Sequence, residues 1–261
     1  MKRRIIVMIV AVMAAGAAGA CSDRAPTGAG AEGADKASPW VRPPMIDGVS
    51  RDGGGLVVRG AAGPNARVVL RAVDAAAVAV NADAAGRFEL RLPPLNGDVV
   101  FTPEVQVGED AAVSPETLVV VQGGAGPIVL IAAGQPTIRL DGMGVLDAVD
   151  TDGATLLISG QAGPKAPSVA VDGAAATPTP TTRGRWRAVV GRTGAGTVTV
   201  DGRSFDYPGG GGGGGAASGA GPVIARAGQG WRIDWPVAPG GRQSAWLPDR
   251  PVNLSQTNSV N

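Results

Sequence analysis

The sequence predicts an all-β protein organised as two tandem sandwiches, and three observations predict it. Short β-type runs alternate with turn residues at the spacing expected of sandwich strands. The chain repeats itself: residues 47–66 (DGVSRDGGGLVVRGAAGPNA) and 147–166 (DAVDTDGATLLISGQAGPKA) align without a gap at an offset of 100, with ten of twenty positions identical. Composition agrees, since glycine (42) and proline (21) punctuate the chain while 44% apolar residues leave enough to bury a core.

The N-terminal element is an address. Lys2, Arg3 and Arg4 precede the apolar run Ile5–Met13 and the small residues AAGAAGA, ending at Cys21. That order is a secretory signal, too short to span a bilayer as a helix. Ala18-Gly19-Ala20-Cys21 resembles the lipobox of bacterial lipoproteins, with Ala18 where the family most often has leucine. The resemblance implies cleavage after residue 20 and acylation of Cys21, which anchors the chain to a lipid bilayer. Several acyl chains at about 0.8 kcal/mol per buried CH₂ hold firmly. The competing reading is ordinary cleavage after Ala20, leaving a free thiol. By the sorting rule of enteric lipoproteins, Ser22 implies the outer membrane, facing the periplasm or the cell surface. Residues 21–42 then form a lipidated, flexible tether. Its stretch 22–39 (SDRAPTGAGAEGADKASP) has no aromatic or β-branched apolar residue to offset the entropy of ordering. Such a chain reaches about 20–25 Å.

The first sandwich spans 43–133. Strands are expected near 55–60, 66–74, 77–82, 86–92, 98–107, 117–122 and 127–132. Breaks are expected at Gly60 to Pro64, Asp83 to Gly86, Pro93 to Gly97, Gly108 to Asp110 and Gly123 to Pro127. Arg87-Phe88-Glu89-Leu90-Arg91-Leu92 alternates strictly, with Phe88, Leu90 and Leu92 on one face. The second sandwich, 134–208, is leaner: strands near 154–160, 167–172, 184–190, 196–201 and 202–207. Thr177-Pro178-Thr179-Pro180 suits only an edge or a loop, because proline cannot donate to a ladder. The repeat predicts that Gly60 and Gly160, with the Gly-Pro steps after them, occupy the same turn of two similar units. A second echo, Gly86-Arg87-Phe88-Glu89-Leu90 and Gly184-Arg185-Trp186-Arg187-Ala188, supports it.

Gly60-Ala61-Ala62-Gly63-Pro64-Asn65-Ala66-Arg67-Val68-Val69-Leu70, followed by Ala82-Asp83-Ala84-Ala85-Gly86-Arg87-Phe88, resembles bacterial immunoglobulin-like (Big-type) modules. The match covers some sixty residues of each repeat, with Lys165 and Pro167 as departures in the second. The resemblance implies two tandem immunoglobulin-like β-sandwiches plus a C-terminal β-hairpin and the flexible N-terminal tether. It also implies spacer or binding roles on envelope proteins rather than catalysis.

Composition narrows the chemistry. The chain has no histidine and one cysteine, which removes Ser-His-Asp and Cys-His pairs, histidine metal sites and any internal disulfide. A net charge of +1 offers no field for nucleic acid, and no cofactor motif is found. Asp147, Asp150 and Asp152 before Gly153 read as a solvated turn or, less conventionally for this spacing, a calcium loop. Glu104 with Glu109 is the carboxylate pair that a glycosidase dyad would need.

Residues 209–222 carry a run of glycines and read as a linker. Beyond it, 223–250 reads as a hairpin in which Trp231, Ile233, Trp235 and Val237 share one face and Trp246 lies on the return strand. The tryptophans either dock on a sandwich or form a tip that binds an envelope protein or a glycan. A polar tail, 251–261, ends the chain. The leading expectation is a non-catalytic cell-envelope lipoprotein acting as a scaffold or adhesion-type binding module. The alternatives are a carboxylate-dependent envelope hydrolase and an accessory or pilot lipoprotein of a secretion or attachment apparatus.

Overall fold

The strands form where the sequence alternates or runs apolar between glycine turns. In this computed structural model, residues 41–73, 75–108, 110–210, 221–238 and 240–250 are described. The signal segment, Cys21, the tether up to residue 40, linker residues 211–220 and the tail 251–261 lie outside them.

The first repeat contributes β1 (Met45–Asp52), β2 (Gly55–Ala61), β3 (Arg67–Ala72), β4 (Val78–Asn81), β5 (Arg87–Leu92), β6 (Val99–Val107), β7 (Asp110–Val113), β8 (Thr117–Val120), β9 (Ile128–Ile131) and β10 (Ile138–Arg139). The second contributes β11 (Ala148–Thr151), β12 (Leu156–Gln161), β13 (Val169–Val171), β14 (Ala174–Ala176), β15 (Thr179–Thr181), β16 (Arg185–Val190), β17 (Gly196–Val200) and β18 (Arg203–Tyr207). The C-terminal strands are β19 (Val223–Arg226), β20 (Gly230–Val237) and β21 (Gly241–Pro248).

Four antiparallel sheets result. The first sandwich packs β1-β2-β5 against β10-β9-β8-β6-β3-β4, with β7 pairing β6. The second packs β15-β16-β12-β11-β21-β20-β19 against β14-β13-β17-β18. Each sandwich has its own core: Leu56, Val58, Phe88, Leu90, Leu118 and Leu130 among others in the first, and Val149, Ile158, Trp186, Val198 and Trp246 in the second. The strand order is compatible with an immunoglobulin-like sandwich, three or four strands facing a sheet of the C′-C-F-G kind. All described residues belong to one compact unit.

The repeat is visible as register. Val49 pairs with Val58 and Val149 with Ile158; Gly60 pairs with Phe88 and Gly160 with Trp186. The sequence expectation that these two glycines occupy the turn is corrected: they lie inside β2 and β12. Each lies beneath the aromatic ring of its cross-strand partner, which leaves no room for a Cβ. Thr179–Thr181 forms an edge strand, where its proline is tolerated.

Candidate functional site

A third apolar cluster lies between the two sandwiches, and the C-terminal strands build half of it. β21 pairs with β11 through Val149↔Trp246, Asp150↔Ala245 and Thr151↔Ser244, and β20 pairs with β21 along its whole length. The alternation of Gly230-Trp231-Arg232-Ile233-Asp234-Trp235-Pro236-Val237 then puts Trp231, Ile233, Trp235 and Val237 on one face. That face, with Ala148, Ala245 and Leu247, meets Val119, Val121, Val129 and Ile131 on the outer face of the first sandwich.

The three tryptophans do three different jobs. Trp246 points the other way, into the second core, at 2% exposure. Its indole N–H donates to the Ala227 carbonyl at 2.8 Å, and its ring meets Tyr207 edge-on at 5.8 Å. Gly230 is required beside it, since a Cβ there would come within 2.7 Å of the indole nitrogen. Trp235 is buried in the cluster between the sandwiches. Trp231 is half-buried at the rim beneath the Arg226 guanidinium, 4.9 Å from its ring centre, and Arg226 is held by Asp249 at 2.7 and 2.6 Å. The tryptophans therefore present no common exposed face. Of the two arrangements open to the hairpin, the described structure has the docked one.

A polar seam borders the apolar cluster, where residues 132–147 cross from one sandwich to the other. Gln243 accepts from the Gly134 amide at 3.0 Å and donates to the Gln135 carbonyl at 3.1 Å. Arg139, 3% exposed, pairs with Asp141 at 2.7 Å and donates to the Pro248 carbonyl at 2.5 Å. Arg183 pairs with Glu116 across the junction at 2.9 Å.

The three aspartates of the acidic stretch have separate partners. Asp147 is buried between Arg185 and Arg250, the latter at 2.6 Å. Burial pushes its carboxyl up against the pull of both guanidiniums, and burial also pulls Arg250 down. Asp150, 1% exposed, accepts from the Thr137 amide at 3.0 Å and the Thr137 hydroxyl at 2.5 Å. Burial pushes it up to about 7. Asp152 is exposed and caps its turn, accepting from the Ala154 and Thr155 amides at 2.8 and 2.9 Å, which hold it below the usual carboxylate range. Among the described residues no three acidic side chains converge as a metal site would require. Glu104 is buried against Arg71 at 2.5 Å, while Glu109 lies outside the described residues.

Two open surface depressions lie on the first sandwich. One, of about 440 Å³, lies between Val41, Arg42, Pro64, Val105 and Val107. The other, of about 340 Å³, lies among Asp47, Arg59, Asp83, Arg87, Phe88 and Glu89. Here Asp83 is held below the usual range, first by the Arg87 amide. The strongly raised carboxyl, Asp150, lines neither depression. Sequence reasoning missed Arg139, Arg185, Arg250, Thr137 and Gln243, because the repeat gives no hint of them: Arg87 answers Arg185 in the alignment, yet Arg87 is an exposed partner of Asp83. No protein-family model matches the chain, and no curated protein matches it significantly.

Proposed function

We propose that the chain is a non-catalytic bacterial cell-envelope lipoprotein, acylated at Cys21 and anchored in the outer membrane. In this reading its two immunoglobulin-like modules serve as a scaffold or adhesion-type binding unit for an envelope protein or glycan. The observation that supports it best is the junction. The C-terminal strands add to the second sandwich and bury an apolar face against the first, so the tandem acts as one stiff spacer. The two depressions on the first sandwich are open surface of the kind a partner contacts, the second lined by Asp47, Arg59, Asp83, Arg87 and Glu89. A tether ahead of such a spacer holds a rigid body clear of the bilayer.

The anchor carries the test. Cells expressing wild type or Cys21→Ser are fed a palmitate analogue and fractionated. Wild type is expected to be labelled and membrane-bound, and Cys21→Ser unlabelled and soluble or uncleaved. Equal labelling of the two proteins overturns the reading.

A further inference from the structure

The seam between the sandwiches contains two buried aspartates treated very differently. Asp147 sits between two guanidiniums. Asp150, three residues on, has no cation among its hydrogen-bond partners. Both its oxygens accept from one residue, Thr137, on the crossover segment. The Thr137 carbonyl in turn accepts from Ser159 on β12 at 3.3 Å. The contact thus ties the crossover segment to β11 and β12 at its midpoint.

The groups that face Asp150 offer its charge little compensation. From β12 come Leu157, its paired residue, and Ser159. From β21 come Ala245, its other paired residue, with neutral Gln243 and Ser244 beside it. From β18 the Tyr207 phenol feels the Asp150 charge, and burial first, then that charge, pushes the phenol up to about 12, so it stays neutral. Asp147 adds a charge of like sign, while Arg232 and Asp234 of β20, which act on the same phenol, pair with each other at 3.1 Å. A buried carboxylate with hydrogen-bond donors but no counter-charge is stable mainly as the neutral acid. In that form it still accepts from the Thr137 amide and gives its own proton to the Thr137 hydroxyl oxygen.

We propose that Asp150 is a proton-operated clasp on the junction: neutral, it holds the crossover segment against β11, and ionised, it releases that segment to water. The sense follows from solvation, because the carboxylate gains more from water than from Thr137 alone. Burial places the change of state near neutrality, at about 7, where modest acidification or alkalinisation moves it. Along β11 Val149 faces the second core, whereas Ala148 and the alternating Asp150 face the junction, where the paired Ala245 also packs, so the clasp lies on the junction side of the sheet.

The test is amide hydrogen exchange of the whole mature protein on either side of neutrality, corrected for intrinsic base catalysis. Asp150→Asn serves as the permanently neutral form and Asp152→Asn as an exposed control. In wild type and Asp152→Asn, protection across 135–140 is expected to fall at least about tenfold from mildly acidic to mildly alkaline buffer. Asp150→Asn should keep its protection throughout. An equal fall in Asp150→Asn, or no fall in wild type, overturns the clasp. Carbon-13 titration of the Asp150 carboxyl in wild type decides the matter without any variant: a midpoint in the ordinary carboxylate range overturns it.

Discussion

Gly60 and Gly160 show how one residue type is fixed twice by the same geometry. A Cβ on Gly60 would stand 2.1 Å from the Met45 carbonyl oxygen and 2.6 Å from the Phe88 ring. On Gly160 it would stand 2.2 Å from the Val145 carbonyl oxygen and 2.8 Å from the Trp186 ring. Backbone blocks one side and a buried aromatic the other, so neither neighbour yields cheaply. Alanine at either site is expected to destabilise by about 1–3 kcal/mol, as overpacking does. Urea denaturation of the two variants should give losses of similar size, and an unchanged midpoint for either would break the equivalence of the repeats. Asp150 supplies a pH dependence whose sign is fixed. Its carboxyl is raised from 3.8 to about 7, so between those values the unfolded chain has released a proton that the folded chain retains. Stability from this group is complete below about pH 4, falls as pH rises, and levels off above about 7. At about 1.4 kcal/mol per factor of ten in proton affinity, the loss is at most of the order of 4 kcal/mol, and release of the crossover segment to water lowers it. Exposed Asp83, Asp152 and Asp172 are lowered and slope the other way. The difference between wild type and Asp150→Asn isolates the buried group: the variant should be the more stable at pH above about 7, and the gap should close toward about pH 4.

At the scale of elements, the hairpin chooses β11 although β1 is its repeat equivalent. β1 exposes Asp47, Ser50, Arg51 and Asp52, and its pairing is interrupted between Ile46 and Gly48. A strand added there would leave its apolar face in water. β11 is buried at all four residues, Ala148 facing the first sandwich and Val149 the second core, so both faces of β21 are covered. Trp246→Ala is therefore expected to cost about 3–5 kcal/mol, as loss of a fully buried aromatic does. Trp231→Ala at the half-exposed rim should cost clearly less. Denaturation followed by circular dichroism checks the order, and equal losses would mean that the hairpin is not docked as described. Much of this was legible in the chain. Arg87–Leu92 alternates because one face is solvated, and the strand expected over 86–92 differs from it by one residue. β1 escaped because its side chains are mostly exposed and show no apolar period. Its signal was the turn Asp52-Gly53-Gly54-Gly55, where Gly53 and Gly54 adopt φ of 56° and 88°. The docking site had a signal too: Leu118–Val121 and Ile128–Ile131 are apolar without alternation, which marks strands covered on both faces. Much of the polar seam had none: Gly134 and Gln243, Arg139 and Pro248, and Asp147 and Arg250 lie about a hundred residues apart and meet only once both sandwiches have formed.

For the whole molecule, the junction decides whether two modules behave as one. Val119, Val121, Val129, Ile131, Ile233 and Leu247 are each buried at 3% exposure or less in the cluster between them. At about 1.5–3 kcal/mol for each large aliphatic removed from water, separating the sandwiches forfeits roughly 10 kcal/mol. That is as large as the entire stability of an ordinary domain, about 5–15 kcal/mol. Neither sandwich can then unfold without stripping the other of a cost comparable to its own stability, so the tandem should melt in a single transition. Calorimetry is expected to give equal calorimetric and van't Hoff enthalpies for the pair, whereas modules joined like beads would give two transitions. Ile131→Asp probes the cause, because this side chain belongs to the junction cluster and not to the core of the first sandwich. An unpaired carboxylate there should uncouple the modules and split the melt in two while each sandwich keeps its core. A wild-type protein that already melts in two steps would mean that the apolar face, though buried, does not couple the modules. The chain would then be a hinged pair rather than a stiff spacer.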